Sequence, residues 1–150
     1  MTDSLPPILL ILEDSDEDFV AFERLLLQSQ INCRLYRFTD GDEALRFLFC
    51  KGEYTDPRNA PRPSLILLDV NLPGTDGKEV LKQLKQDAGL RSIPTIALSG
   101  STDPKEIETL YHLGANSYIL KPINTAKFKT TMQLLLEYWF IASTLPQRDS

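Results

Sequence analysis

The sequence is poor in the residues on which zinc sites and disulfide frameworks depend. It contains one histidine and two cysteines, Cys33 and Cys50, whose spacing suits neither a zinc site nor a redox pair. We therefore expect two reduced thiols that are largely buried. The first apolar run, residues 8–12, is too short for a signal peptide or a membrane span. These absences predict a cytoplasmic protein without a membrane segment.

Positive charge is also scarce, with 16 lysines and arginines against 21 acidic residues and a formal charge of -5. The basic residues form no cluster, which argues against a nucleic-acid partner because such surfaces need a basic patch. A chain of 150 residues is long enough for one domain with a sizeable core. We expect residues 1–150 to form that single domain.

Two short runs of aliphatic residues carry the prediction of the fold. Residues 8–12 read ILLIL and residues 65–68 read LILL, and acidic residues follow each run directly. An apolar run of this length between turn signals is typical of a strand buried on both faces, as in a parallel sheet. Further strands are predicted at 93–99, at 116–120 and at 34–39, the last of which is more polar and suits a sheet edge.

Segments with helical spacing of apolar residues follow the predicted strands. Ser15 and Asp18 resemble a capping box at the start of the first helix. Asp103, which precedes a proline, is a candidate N-cap, and Gly114 can end the same helix. The last helix is predicted to run from about 125 to 142. This alternation predicts an α/β fold of five strand–helix units, (βα)5, around one parallel sheet covered on both faces.

Polar side chains stand at four predicted strand ends, namely Glu13 with Asp14, then Asp69, Ser99 and Lys121. The carboxyl ends of parallel strands meet at one edge of an α/β sheet, where ligands bind. Carboxylates that converge there raise one another's pKa and need a neutralising partner. Oxygen ligands without histidine or cysteine suit Mg²⁺, and Mn²⁺ would fit the same ligands. A hydroxyl and an ammonium would suit an added phosphoryl group.

These strand ends, read as Glu13-Asp14, Asp69, Ser99 and Lys121-Pro122, resemble the signature of response-regulator receiver domains. The spacing also agrees, with 30 residues from Asp69 to Ser99 and 22 from Ser99 to Lys121. The resemblance covers residues 7 to about 130. It implies a flavodoxin-like (βα)5 sandwich with strand order 2-1-3-4-5.

The resemblance also implies a role for each residue of the site. Asp69 would accept a phosphoryl group. Asp14 and Asp69, with the backbone carbonyl of Asn71, would hold Mg²⁺, and Glu13 would act through water. Ser99 and Lys121 would contact the phosphoryl oxygens.

Two further expectations concern the response to phosphorylation. Tyr118 matches the aromatic residue that swings inward on activation in this family, in concert with Ser99. We also expect a cis peptide between Lys121 and Pro122, since that rare form would turn the lysine toward the site.

A second resemblance points to the small regulators that partner phytochrome histidine kinases in cyanobacteria. It implies a sensor histidine kinase, a phytochrome, as the partner, and a phosphoacceptor function rather than an enzyme. The segments that carry it are 47–54, 67–73, 76–81, 113–118 and 137–140.

Other functions are compatible with an aspartate at a strand end. A Mg²⁺-dependent hydrolase with an aspartate nucleophile would carry a second acid two residues later, where this chain has Asn71, an amide that cannot act as a general acid or base. A flavin binder would need a phosphate loop after the first strand, and none is present. A relay that hands its phosphate to another histidine stays open, as do protein contacts and self-association, because no output domain follows in the sequence.

The last predicted helix carries two apolar stripes. Phe128, Met132, Leu135 and Trp139 form one, widened by Leu136 and Phe140. Leu134, Tyr138, Ile141 and Leu145 form the other. One stripe covers the sheet, and a second exposed stripe is unusual on a soluble monomer. We therefore predict a symmetric homodimer built on this helix and its neighbouring strand, the alternative being that the last turns fold back onto the domain.

Overall fold

The computed structural model describes residues 5–146, in which five β-strands alternate with five α-helices. The strands are β1 Ile8–Leu12, β2 Arg34–Phe38, β3 Leu65–Asp69, β4 Thr95–Ser99 and β5 Ser117–Leu120. The helices are α1 Asp16–Gln28, α2 Gly41–Leu48, α3 Gly77–Gln86, α4 Pro104–Leu113 and α5 Thr125–Glu137. A short 3-10 helix, Gly52–Tyr54, lies in the loop after α2, and a π-helical turn, Tyr138–Ala142, follows α5.

All five strands are parallel and lie in the order β2-β1-β3-β4-β5, which confirms the predicted flavodoxin-like topology. Every residue of β1 and β3 is buried, as their uninterrupted aliphatic runs predict. The more polar β2 lies at one edge. Because the order reverses between β1 and β3, the ends of these two strands flank the crevice where a ligand can bind.

Alternate residues of the strands divide the core into two layers. Leu10 and Leu12 of β1 belong to the cluster formed with α2, α3 and α4, whereas Leu9 and Ile11 belong to the cluster formed with α1 and α5. The sheet is therefore sandwiched between three helices on one face and two on the other. This division makes α1 and α5 neighbours, and both begin at the carboxyl edge of the sheet.

The start of α1 uses half of the predicted capping box. The Ser15 side chain accepts a hydrogen bond from the N–H of Asp18 at 3.2 Å. The Ser15 N–H donates to the carboxylate of Glu13 at 3.1 Å, and the carboxylate of Asp18 instead pairs with Lys121. At α4, Asp103 caps the first turn and Gly114 ends the helix in the left-handed conformation, as predicted.

The start of α3 is held tightly against the end of β3. The N–H of Gly77 donates to the carbonyl of Val70 at 3.1 Å. A Cβ at Gly77 would lie 2.6 Å from the Val70 Cα and 2.9 Å from the Asp69 carbonyl oxygen, so only glycine permits this approach. The close contact fixes the backbone that carries the Asp69 side chain.

The end of the last helix differs from the predicted pattern. Leu134, Tyr138 and Ile141 are exposed by 63%, 56% and 69%, but Leu145 is half-buried against the core, so its inclusion in the exposed stripe was wrong. The π-helical turn changes the residue spacing, and at Ser143 the backbone becomes extended. The chain therefore leaves the helix axis before Leu145, and helical spacing no longer applies there.

The two cysteines are free among the described residues. Cys33 is half-buried, and burial raises the pKa of its thiol to about 11. Cys50 is exposed in the turn after α2, so the prediction of two largely buried thiols was wrong for this residue. Within residues 5–146, no helix has the length and apolar character needed to cross a membrane.

Candidate functional site

Three carboxylates converge at the carboxyl edge of the sheet and form the acidic cluster, defined as Glu13, Asp14 and Asp69. One oxygen from each lies within 4.8 Å of the others. Glu13 and Asp69 are buried, whereas Asp14 is exposed to solvent. The N–H of Asn71 donates to Asp69 Oδ1 at 2.9 Å and thereby orients the carboxylate at the end of β3.

The ammonium of Lys121 enters this cluster from the residue after β5. Its Nζ lies 2.6 Å from Glu13 Oε1, 2.8 Å from Asp69 Oδ2 and 3.0 Å from Asp18 Oδ2. The backbone N–H of Lys121 donates to the carbonyl of Ser99 at 2.7 Å, which continues the pairing of β5 with β4. Asp18 was not predicted from the sequence as a partner of this lysine. Its position among five acids in the six residues 13–18 was the available signal.

Lys121 reaches the acids from a trans peptide. The predicted cis bond between Lys121 and Pro122 is wrong, because every peptide bond of residues 5–146 is trans. The trans form is favoured by about 0.5–1 kcal/mol even before proline. A lysine side chain at the end of β5 is long enough to contact both Glu13 and Asp69 without the rarer form.

The pKa values of Glu13 and Lys121 both lie above their ordinary values. Burial raises the pKa of Glu13 to about 7, since the hydrogen bond from Lys121 only partly offsets the loss of solvation. Burial acts to lower the pKa of Lys121, but hydrogen bonds to Asp69, Glu13 and Asp18 outweigh it and hold the pKa above its ordinary value. The lysine is therefore charged at neutral pH, while Glu13 is poised to bind a proton.

The two predicted switch residues meet at the backbone of Ser101. Ser99 is buried, and its hydroxyl oxygen accepts a hydrogen bond from the Ser101 N–H at 3.1 Å. The half-buried Tyr118 ring packs against the α2–α4 side of the core, and its hydroxyl donates to the Ser101 carbonyl at 2.5 Å. The Tyr118 N–H donates to the hydroxyl of Tyr111 on α4. Ser101 could not be predicted from the sequence, because its backbone makes both contacts.

The acidic cluster opens into a solvent-accessible cavity of about 560 Å³. Asp14, Asp69, Asn71 and Lys121 line one part of it, and the start of α5 lines another. Carboxylate oxygens that approach from separate elements, with one exposed and reachable by water, are ligands of the type that Mg²⁺ and Mn²⁺ prefer. The residues present therefore fit a hard divalent cation. The same cavity has room for a phosphoryl oxygen beside that cation.

Comparison with known proteins agrees with this geometry. Residues 9–133 match the response regulator receiver domain family. The chain is 38% identical to the response regulator Rcp1 of Synechocystis sp. over 141 residues, which are 94% of each protein. The crystal structure of the Mn²⁺-bound form of Rcp1 matches with a TM-score of 0.89 over 94% of this chain and 99% of that one. The phosphorylated cyanobacterial phytochrome response regulator RcpA matches with a TM-score of 0.88 at 36% identity, over 95% of this chain and all of the other. The chain therefore belongs to the response regulator receiver domain family.

Proposed function

We propose that Asp69 accepts a phosphoryl group from the phosphohistidine of a sensor histidine kinase. The observation that carries this proposal is the contact of 2.8 Å between Asp69 and Lys121 beside two further acids in an open cavity. A carboxylate so placed can be reached by a donor group while a cation stands ready beside it. The fold holds this geometry before the donor arrives.

The transfer forms one bond and breaks another. An oxygen of Asp69 attacks phosphorus, the bond between phosphorus and the donor imidazole nitrogen breaks, and the electron pair leaves with the imidazole. Lys121 offsets the negative charge that grows on the phosphoryl oxygens during the transfer. The Ser99 hydroxyl donates a hydrogen bond to one of these oxygens. Water later attacks the acyl phosphate, which releases inorganic phosphate and restores the carboxylate.

The metal ligands in this proposal are Asp14, Asp69 and the backbone carbonyl of Asn71, with Glu13 acting through water. When bound, Mg²⁺ supplies positive charge to the phosphoryl oxygens and brings the donor and acceptor together. The exposed Asp14 supports the assignment, since within residues 5–146 its carboxylate forms no salt bridge and stays available. The Mn²⁺-bound form of Rcp1 supports the binding of a divalent cation.

The signal in this proposal passes through Ser101. Phosphorylation of Asp69 draws the Ser99 hydroxyl toward the phosphoryl group and away from the Ser101 N–H, to which it is bonded at 3.1 Å. The Ser101 carbonyl then shifts, and with it the hydrogen bond that holds the Tyr118 hydroxyl. Ser99 and Tyr118 thus form a two-state element biased by a local charge.

A phytochrome histidine kinase is the partner we propose, and the cytoplasm is the location. Support comes from the likeness to RcpA, which is named as a phytochrome response regulator. The family assignment favours a phosphoacceptor over the hydrolase with an aspartate nucleophile, in agreement with the amide at Asn71. Transfer onward to a second histidine would use the same Asp69 and is a variant of the same function.

We also propose that the protein forms a homodimer through the end of α5 and the π-helical turn that follows it. Leu134, Tyr138 and Ile141 lie at spacing i, i+4, i+7 and are the exposed part of the second stripe, which no longer includes Leu145. Three large apolar side chains exposed within eight residues of the chain are the kind of patch that a partner covers. A symmetric pair of such faces is the simplest assembly.

The phosphoacceptor is tested by incubating the protein with acetyl phosphate and Mg²⁺ and measuring its intact mass. We expect the addition of one phosphoryl group, and its loss in Asp69→Asn. Asp76→Asn is the matched control, because it changes a nearby aspartate that caps α3 and retains a capping side chain. Phosphorylation that persists in Asp69→Asn would contradict the assignment.

The metal site is tested by calorimetric titration with Mg²⁺ at pH 6 and pH 8. Burial raises the pKa of Glu13 to about 7, so at pH 6 Glu13 must release a proton when the cation binds. We expect affinity to be roughly tenfold higher at pH 8 than at pH 6. In Glu13→Gln the affinity should be lower and nearly independent of pH. Equal affinities of the unchanged protein at both pH values would refute this.

The dimer is tested by sedimentation at micromolar concentration, with and without phosphorylation of Asp69. We expect a dimer that becomes a folded monomer in the double variant Tyr138→Glu, Ile141→Glu. Leu27→Glu is the control, since Leu27 on α1 is 76% exposed, lies outside the patch and should leave the dimer intact. A monomer in both phosphorylation states of the unchanged protein would show that the patch serves another purpose.

A further inference from the structure

Arg37 contacts the segment that carries Glu13 and Asp14, although it belongs neither to the acidic cluster nor to the pair of switch residues. It is the penultimate residue of the edge strand β2 and pairs in register with Ile11 of β1. The chain that leaves β1 two residues later carries Glu13 and Asp14. Arg37 is therefore placed beside the start of the loop between β1 and α1.

Three contacts connect the Arg37 guanidinium to this loop and to α1. Its Nε donates to the backbone carbonyl of Glu13 at 3.0 Å. One terminal nitrogen forms an ion pair with Asp16 at 2.8 Å. The guanidinium lies over the ring of Phe19, with 4.5 Å between its central carbon and the ring centroid. The planar group thus binds the loop, the first turn of α1 and the next turn together.

The hydrogen bond to the Glu13 carbonyl has a specific geometric consequence. The carbonyl belongs to the peptide between Glu13 and Asp14, and a peptide unit is planar. Fixing the direction of that carbonyl fixes the orientation of the whole plane, including the N–H of Asp14. The Glu13 N–H donates to the Phe38 carbonyl at 3.0 Å, which fixes the preceding peptide. Both peptides that flank Glu13 are thereby fixed, and the second of them leads directly into Asp14.

The two basic residues also divide the acids of the loop between them. Lys121 pairs with Glu13 and Asp18 on the site side, and Arg37 pairs with Asp16 on the β2 side. Among the described residues, Asp14 forms a salt bridge with neither. Asp16, whose side chain is 88% exposed, thus pairs with Arg37 and not with Lys121, and Asp14 stays available to a cation.

We propose that Arg37 is a positioning residue for divalent-cation binding, acting through the Glu13–Asp14 peptide. This inference rests on the proposed function for the identity of the cation site. Arg37 contacts the backbone that orients the ligands, and it does not contact the cation. Residues of this kind in metal sites contribute roughly 10–100-fold to metal affinity.

The direction of the change separates positioning from simple electrostatics. A positive charge near a cation site repels the cation, so removing Arg37 for electrostatic reasons alone would strengthen Mg²⁺ binding. Loss of positioning would weaken it. The two explanations predict opposite signs, so a single titration decides between them.

The experiment is calorimetric titration of Mg²⁺ into Arg37→Met, Arg37→Lys and Arg34→Met. We expect Arg37→Met to weaken binding about tenfold. Arg37→Lys keeps the charge and the aliphatic stem but loses the planar fork, and we expect it to weaken binding as well. Arg34→Met removes the same charge from an exposed position on β2 and should bind Mg²⁺ as the unchanged protein does. Unchanged or tighter binding in Arg37→Met, or unchanged binding in Arg37→Lys, would overturn the proposal.

A second readout separates positioning from a loss of stability. Urea unfolding establishes that each variant is folded at the titration temperature, and Arg37→Lys serves if Arg37→Met is not. The Mg²⁺ concentration for half-maximal labelling by acetyl phosphate should rise in the Arg37 variants, while the maximal rate is unchanged. If the unchanged protein is not labelled at all, the proposed function fails, yet the calorimetric comparison still decides the role of Arg37.

Discussion

The contact of the Lys121 ammonium with the carboxylates of Glu13 and Asp69 is the interaction on which the site depends. Two buried carboxylates without a counter-charge would each cost several kcal/mol. The lysine meets them at 2.6 and 2.8 Å, and it can do so only because β1, β3 and β5 end at the same edge of one parallel sheet. The parallel arrangement of the strands thus provides the counter-charge that offsets the cost of burying these carboxylates.

The positive charge of Lys121 balances only part of the negative charge at the site, and the remainder favours the binding of a cation. One ammonium cannot neutralise Glu13, Asp14, Asp18 and Asp69 together. Burial and, to a smaller extent, the negative charge of Asp69 raise the pKa of Glu13. A bound cation would relieve the remaining negative charge. When a phosphoryl group brings further negative charge, its oxygens contact both the lysine and the cation. The arrangement therefore suits a site that is phosphorylated and dephosphorylated in turn.

The strands and the polar residues at their ends were predictable because both have local signatures. The uninterrupted run before Asp69 indicates a buried strand, and parallel topology brings the strand ends together. The wrong predictions concern features that no local sequence pattern determines. Helical spacing was extended past a π-helical turn to Leu145, and the peptide before Pro122 has no sequence signature of its isomer. The partners of Asp18 and Arg37 depend on packing between distant segments, which a single sequence does not display.

The most direct test of this account is a double-mutant cycle between Asp69 and Lys121, measured by urea unfolding without divalent cations. Lys121→Met should be strongly destabilising because it leaves Glu13 and Asp69 without their counter-charge. Adding Asp69→Asn removes one of those charges and should recover part of the loss. We predict a coupling free energy of about 1–3 kcal/mol between the two substitutions. Effects that add to within about 0.5 kcal/mol would contradict the claim that this ion pair sustains the site.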